Sequence, residues 1–202
     1  MQNFADRLDH SIQEKKSCLV VGLDPVLDRL PPEVLYAVGV PHPGEPGWTA
    51  RAASATGIFL RGVIDAVAPH AVAVKPNTGF FERFGAVGWD CLRQVSEYAT
   101  KQGLLVICDA KRGDIGNTAA AYAEGILGDT PDTLGPVTDA VTLNPYLGED
   151  SLRPFIDRCS AGKGLFLLVR TSNPSGADLQ ELDVGGEPLY LKVARLVEKW
   201  GV

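Results

Sequence analysis

Short apolar runs recur along this chain: CLVVGL (18–23), AVAVKP (71–76), LLVICDA (104–110), AVTLNP (140–145) and GLFLLVR (164–170). Each holds four to six apolar or β-branched positions, which suits strands buried on both faces, as in parallel sheets. Between the runs lie longer segments with helical spacing, near 3–16, 50–68, 82–102, 115–127, 149–160 and 187–200. Strand–helix alternation of this kind implies βαβ units, and so an α/β fold with a parallel sheet and helices outside it. Loops are expected at 37–49, 128–136 and 171–180, which are rich in glycine, proline and small polar residues. The last of these is a candidate lid.

Two architectures fit that pattern, an open doubly wound sheet and a closed (β/α)8 TIM-type barrel. Asp24, Lys75, Asp109 and Ser172 stand at or just beyond the C-terminal ends of different runs. A barrel gathers such residues round one mouth, whereas an open sheet concentrates them at one switch point. The barrel is therefore the expected fold, with residues 1–202 as a single domain.

The formal charge of −6 argues against nucleic acid or an anionic membrane as a partner for the whole surface. It leaves room for a small basic pocket. No apolar stretch reaches the roughly 18 residues of a membrane span. The charged start of the chain lacks a signal-peptide pattern, so the cytoplasm is expected. The cysteines at 18, 91, 108 and 159 form no CxxC pair, and the histidines at 10, 42 and 70 form no HExxH motif, so no metal site is expected. Neither GxGxxG nor GxxxxGK[ST] occurs.

The segment LLVICDAKRGDIGNT (104–118) carries the densest chemistry. Strand alternation puts Asp109 and Lys111 on the face of Leu105 and Ile107, with Arg112-Gly113 as a turn. Asp114 follows where a helix should begin and could serve as its N-cap. Lys75 ends the preceding strand and should neighbour Asp109. Such a charge array can be a solvated salt-bridge network or a site of mutually perturbed ionisation. The residues alone leave both open.

The segments VGLDP (21–25), VKPNTGFFERFG (74–85), DAKRGDIGNTAAAYA (109–123), TLNPYLGED (142–150) and LLVRTSNPSG (167–176) resemble the orotidine 5′-phosphate decarboxylase family, in its bacterial branch with an elongated first connection. The resemblance implies a (β/α)8 barrel, working as a homodimer with shared active sites and without metal or organic cofactor. It implies that Asp109 faces the substrate carboxylate, that Lys111 protonates C6 of the pyrimidine, and that Lys75 orients the array and touches the ribose. Asp24 becomes a ribose ligand, Ser172 with Asn173 reads the pyrimidine edge, and Asp114 and Thr118 enter the partner's site. The expected activity is conversion of orotidine 5′-phosphate to uridine 5′-phosphate.

The helical segment ending in VEKWGV follows the fifth strand, so about five of eight βα units are expected here. The last three strands, with the loops that grip phosphate, would lie outside these residues. The chain is thus expected to be an incomplete sequence. As a whole protein it should fold weakly and show little activity. Two other functions fit parts of the pattern: a magnesium-dependent sugar-phosphate decarboxylase of the same barrel type, and a non-catalytic partial barrel that binds a nucleotide or a partner. Dependence of turnover on metal separates the first from the cofactor-free decarboxylase.

Overall fold

A computed structural model describes residues 2–40, 42–128, 135 and 137–201. Each apolar run forms a strand: β1 (Leu19–Leu23), β2 (Ala71–Pro76), β3 (Leu105–Arg112), β4 (Ala140–Leu143) and β5 (Gly164–Leu167). The strands pair in sequence order and every pair is parallel. Consecutive order with helical crossovers is the progression of a barrel, without the reversal that defines a doubly wound sheet. The described residues supply five βα units of a (β/α)8 TIM-barrel type fold, and among them the sheet does not close on itself.

Residues of one strand serve two layers because successive side chains point to opposite faces. On the outer face, α3 (Trp48–Val67) and α5 (Ala86–Lys101) press Leu60, Ile64, Leu92 and Val95 into the cluster that holds Val74 and Val106. Further along, α6 (Gly116–Leu127), α7 (Glu149–Ile156) and α9 (Leu189–Trp200) gather Ala119, Leu152, Phe155 and Trp200 over Cys108, Val141 and Leu143. At the N-terminal ends of the strands, α1 (Phe4–Lys15) lays Phe4, Leu8 and Ile12 against Val72, Ala73, Ile107 and Ala140. Phe4 sits so close to β5 that a Cβ on Gly164 would stand 2.3 Å from its ring. The starts of the strands are thereby sealed, which leaves their C-terminal ends as the accessible mouth.

Several boundaries differ from the sequence reading for local reasons. α2 (Pro32–Val38) forms just before the expected loop at 37–49, opened by Pro32 in its first turn and closed by Gly39 at φ +64°. The helix expected at 82–102 is divided at Gly85, so that α4 (Gly79–Glu82) precedes α5. The 149–160 segment is α-helical only to Ile156 and continues as a 3-10 turn. The expected loop at 171–180 includes a 3-10 turn at Pro174–Gly176 and α8 (Ala177–Gln180). The loop expected at 128–136 lies outside the described residues except for Gly128 and Gly135.

Candidate active site

β3 ends in a departure from regular pairing that shapes the mouth. Cys108 pairs with Val141, but the next paired residue is Arg112, opposite Leu143, with a bulge between them. Lys111 lies in that bulge at φ +47°, a left-handed backbone that side-chain-bearing residues rarely adopt. The turn expected at Arg112-Gly113 is therefore delayed, because Arg112 rejoins the sheet and its carbonyl accepts the Asn144 N–H at 2.8 Å. On the opposite side Asp109 bridges to Asn77, and its carbonyl accepts the Thr78 N–H at 3.2 Å. Asp109 is thus fixed from both neighbouring strands.

The structure brings Lys75, Asp109 and Lys111 together. Asp109 is only 5% exposed; its Oδ2 lies 2.9 Å from Lys75 Nζ and its Oδ1 2.6 Å from Lys111 Nζ. Two ammonium groups against one carboxylate give the trio a single net positive charge. Burial alone would push the Asp109 carboxyl up, but hydrogen bonds from Lys111, Lys75 and Thr142 outweigh it and bring the group down to about 2. The carboxylate is therefore ionised wherever the protein is near neutral pH. The arrangement offers a fixed negative charge flanked by two cations, both partly open to solvent.

The remaining expected residues surround this trio without joining it. Asp24 is exposed just past β1, whose Leu23 pairs with Pro76, so it shares the mouth with Lys75. Gly22 leaves room for it: a Cβ there would lie 3.1 Å from the Asp24 carboxylate. Asp114 sits on the β3–α6 turn, half-buried, and accepts the Ile115 N–H at 2.8 Å. Ile115, not Asp114, occupies the N-cap of α6. Thr118, Ser172 and Asn173 are exposed. Among the described residues no hydrogen bond or ion pair joins Asp24, Asp114, Thr118, Ser172 or Asn173 to the trio. Asn173 accepts from Thr171 Oγ1 at 2.6 Å and lines a cavity of about 480 Å³ with Asn144, Tyr146 and Tyr190.

Two features escaped the sequence reading. Thr142 on β4 donates its hydroxyl to Asp109 Oδ1 at 2.8 Å. Arg112 pairs with Glu82 at the end of α4 and lies over the Tyr122 ring at 5.5 Å, tying the segment after β2 to the segment after β3. Only strand register could have revealed either, since the partners are 33 and 30 residues apart.

The model of the "Orotidine 5'-phosphate decarboxylase / HUMPS family" matches residues 59–199. The orotidine 5′-phosphate decarboxylase of Rhodopirellula baltica is 43% identical over 199 residues, covering 98% of this chain and 64% of its own length. That of Haloarcula marismortui is 44% identical over the same shares of both chains. Among solved structures, Leishmania donovani OMP decarboxylase is 36% identical with a TM-score of 0.77, covering all of this chain and 67% of that one. The chain therefore spans about two thirds of the length of these relatives.

Proposed function

This chain belongs to the orotidine 5′-phosphate decarboxylase / HUMPS family, and from that premise we propose that it decarboxylates orotidine 5′-phosphate to uridine 5′-phosphate, a step of de novo pyrimidine synthesis, without metal or organic cofactor. The observation that carries this reading is the buried Asp109 carboxylate held between the ammonium groups of Lys75 and Lys111 at 2.9 and 2.6 Å.

Loss of CO2 from C6 of the pyrimidine leaves an electron pair in an sp2 orbital that the ring π-system cannot delocalise. An ammonium group held at that carbon stabilises the developing charge and then supplies the proton, which is the role of Lys111. Asp109 directs the Lys111 ammonium through their 2.6 Å ion pair, and it faces the departing carboxylate. Two like charges about 4 Å apart at an effective dielectric of about 20 repel by about 4 kcal/mol. Binding of the rest of the nucleotide offsets that repulsion, which is relieved as CO2 leaves. Lys75 orients Asp109 from the opposite side and reaches the ribose.

In the same reading Asp24 binds ribose, while Ser172 and Asn173 address the pyrimidine edge. Asp114 and Thr118 serve the second site of a homodimer. Their support is position: Asp114 precedes Ile115, which is 57% exposed, and Thr118 is exposed in the first turn of α6, and neither bonds to the trio of its own chain. Residues 1–202 act as one domain that contributes five of the barrel's eight βα units. No described helix is long and apolar enough to cross a membrane, and the proposed location is the cytoplasm.

The test is the fall in orotidine 5′-phosphate absorbance with and without a chelator, for the unmodified protein and Lys111→Ala. Turnover should persist in chelator and fall by about 10²–10⁴ in the variant. A kcat that survives Lys111→Ala removes the proton-donor role, and loss of turnover in chelator favours metal-dependent sugar-phosphate chemistry.

A further inference from the structure

We infer that Thr142 is a positioning residue, whose hydroxyl couples the Asp109 carboxylate to the backbone of Lys111 and so sets the geometry of the reacting pair. Its consequence for turnover rests on the decarboxylase reading above; its consequence for Asp109 does not.

Thr142 is 8% exposed, in the middle of a strand otherwise made of apolar residues. Its Oγ1 lies 2.8 Å from Asp109 Oδ1 and 3.0 Å from the Lys111 amide nitrogen. An amide N–H can only donate, so the hydroxyl accepts from Lys111 and its one proton goes to Asp109. That direction requires an ionised Oδ1, which also accepts from Lys111 Nζ at 2.6 Å. Lys111 is therefore held at both ends by one small network: its main chain by the Thr142 hydroxyl, its ammonium by the oxygen to which that hydroxyl donates. Between those ends the backbone takes φ +47° before Arg112 rejoins β4. A residue in a sparsely populated conformation persists only when its surroundings hold it there, and the amide–hydroxyl bond is the tether on the residue itself.

The groups that face Asp109 are Lys75 from β2, Lys111 on its own strand and Thr142 from β4. Asp24 stands beyond β1 at the same mouth, and Arg112, next to Lys111 in the chain, is paired with Glu82. Removing the hydroxyl takes away one of three donors to the carboxylate and leaves the Lys111 N–H unpaired. Valine at this position fills the same space and suits a strand, so the change isolates the hydroxyl.

The experiment compares Thr142→Val, Thr142→Ser and the unmodified protein by two readouts: a carbon-detected NMR titration of the Asp109 carboxyl, and turnover of orotidine 5′-phosphate. Thr142→Val should raise the Asp109 midpoint towards the ordinary carboxylate range, and Thr142→Ser should restore it. With turnover, kcat should fall about tenfold or more in the valine variant and little in the serine variant, as expected for loss of both hydrogen bonds of the hydroxyl. Should the valine variant not fold, the Thr142→Ser and Thr142→Ala pair isolates the same hydroxyl. An Asp109 midpoint that is the same with and without the hydroxyl overturns the inference, whatever the activity. If the midpoint moves as expected while the unmodified protein fails to turn over, the coupling stands and the decarboxylase reading falls.

Discussion

Lys111 carries a full side chain at φ +47°, where an L-residue with a Cβ sits about 1–2 kcal/mol above its ordinary backbone conformations. Glycine has no such penalty. Lys111→Ala and Lys111→Gly both remove the ammonium, but only alanine keeps the strain. The glycine variant should therefore be more stable than the alanine variant by about 1 kcal/mol in urea unfolding, with both deficient in turnover. Equal stabilities would show that the bulge relaxes once the side chain is gone. The charges of this site were legible because Lys75 and Asp109 close apolar runs on strands expected to be neighbours, and there they pair at 2.9 Å. The approach of Lys111 was right in outcome but has a different cause, a left-handed residue in a bulge in place of simple alternation. Thr142 was not legible: threonine is common in strands, and only the pairing of Cys108 with Val141 places it beside Asp109.

Among the elements, α1 does more than cover the ends of the strands. Lys15, in its last turn, donates to the carbonyls of Ala68, Ala71 and Gly103 at 3.0, 2.8 and 3.1 Å. One side chain thus joins the ends of α3 and α5 to the start of β2. Near the other end of α1, Arg7 pairs with Asp139 at 2.5 Å and donates to the Gly162 carbonyl at 2.9 Å. Lys15→Met keeps most of the stem but leaves three carbonyls without that donor, so stability should drop by about 1–3 kcal/mol. Urea unfolding followed by circular dichroism measures this, and no change would mean that water replaces the ammonium without cost. The five strands were legible because each opens on a short run of apolar residues, and α1, α3, α6 and α9 because their spacing is long and regular. The short elements were not. α2 and α8 have seven and four residues, and helices of that length depend on tertiary packing that no local pattern expresses.

For the whole molecule, a formal charge of −6 coexists with a net positive trio at the mouth of the sheet. That contrast suits an anionic ligand drawn to one place and repelled elsewhere. The sheet itself has two edges. β2 and β4 are buried on both faces over most of their length, whereas on β1 Leu19 is 48% and Val20 38% exposed, and on β5 Phe166 is 41% exposed. A closed barrel has no such edges, because every strand is paired on both sides. In the 202-residue chain by itself these apolar edges should recruit other copies. An edge that offers unpaired backbone groups templates open-ended association, not a closed dimer. Sedimentation velocity should accordingly show a broad, concentration-dependent distribution, and Leu19→Lys should collapse it towards a single small species, since a charge on an edge strand opposes pairing. The proposed homodimer uses Asp114 and Ile115 on the β3–α6 turn with Thr118 in the first turn of α6, and not the β1 edge, so a dimer that survives Leu19→Lys fits that interface. A broad distribution unchanged by the substitution would show that the edges do not drive association, and the sealing of the sheet would have to be sought in the helices.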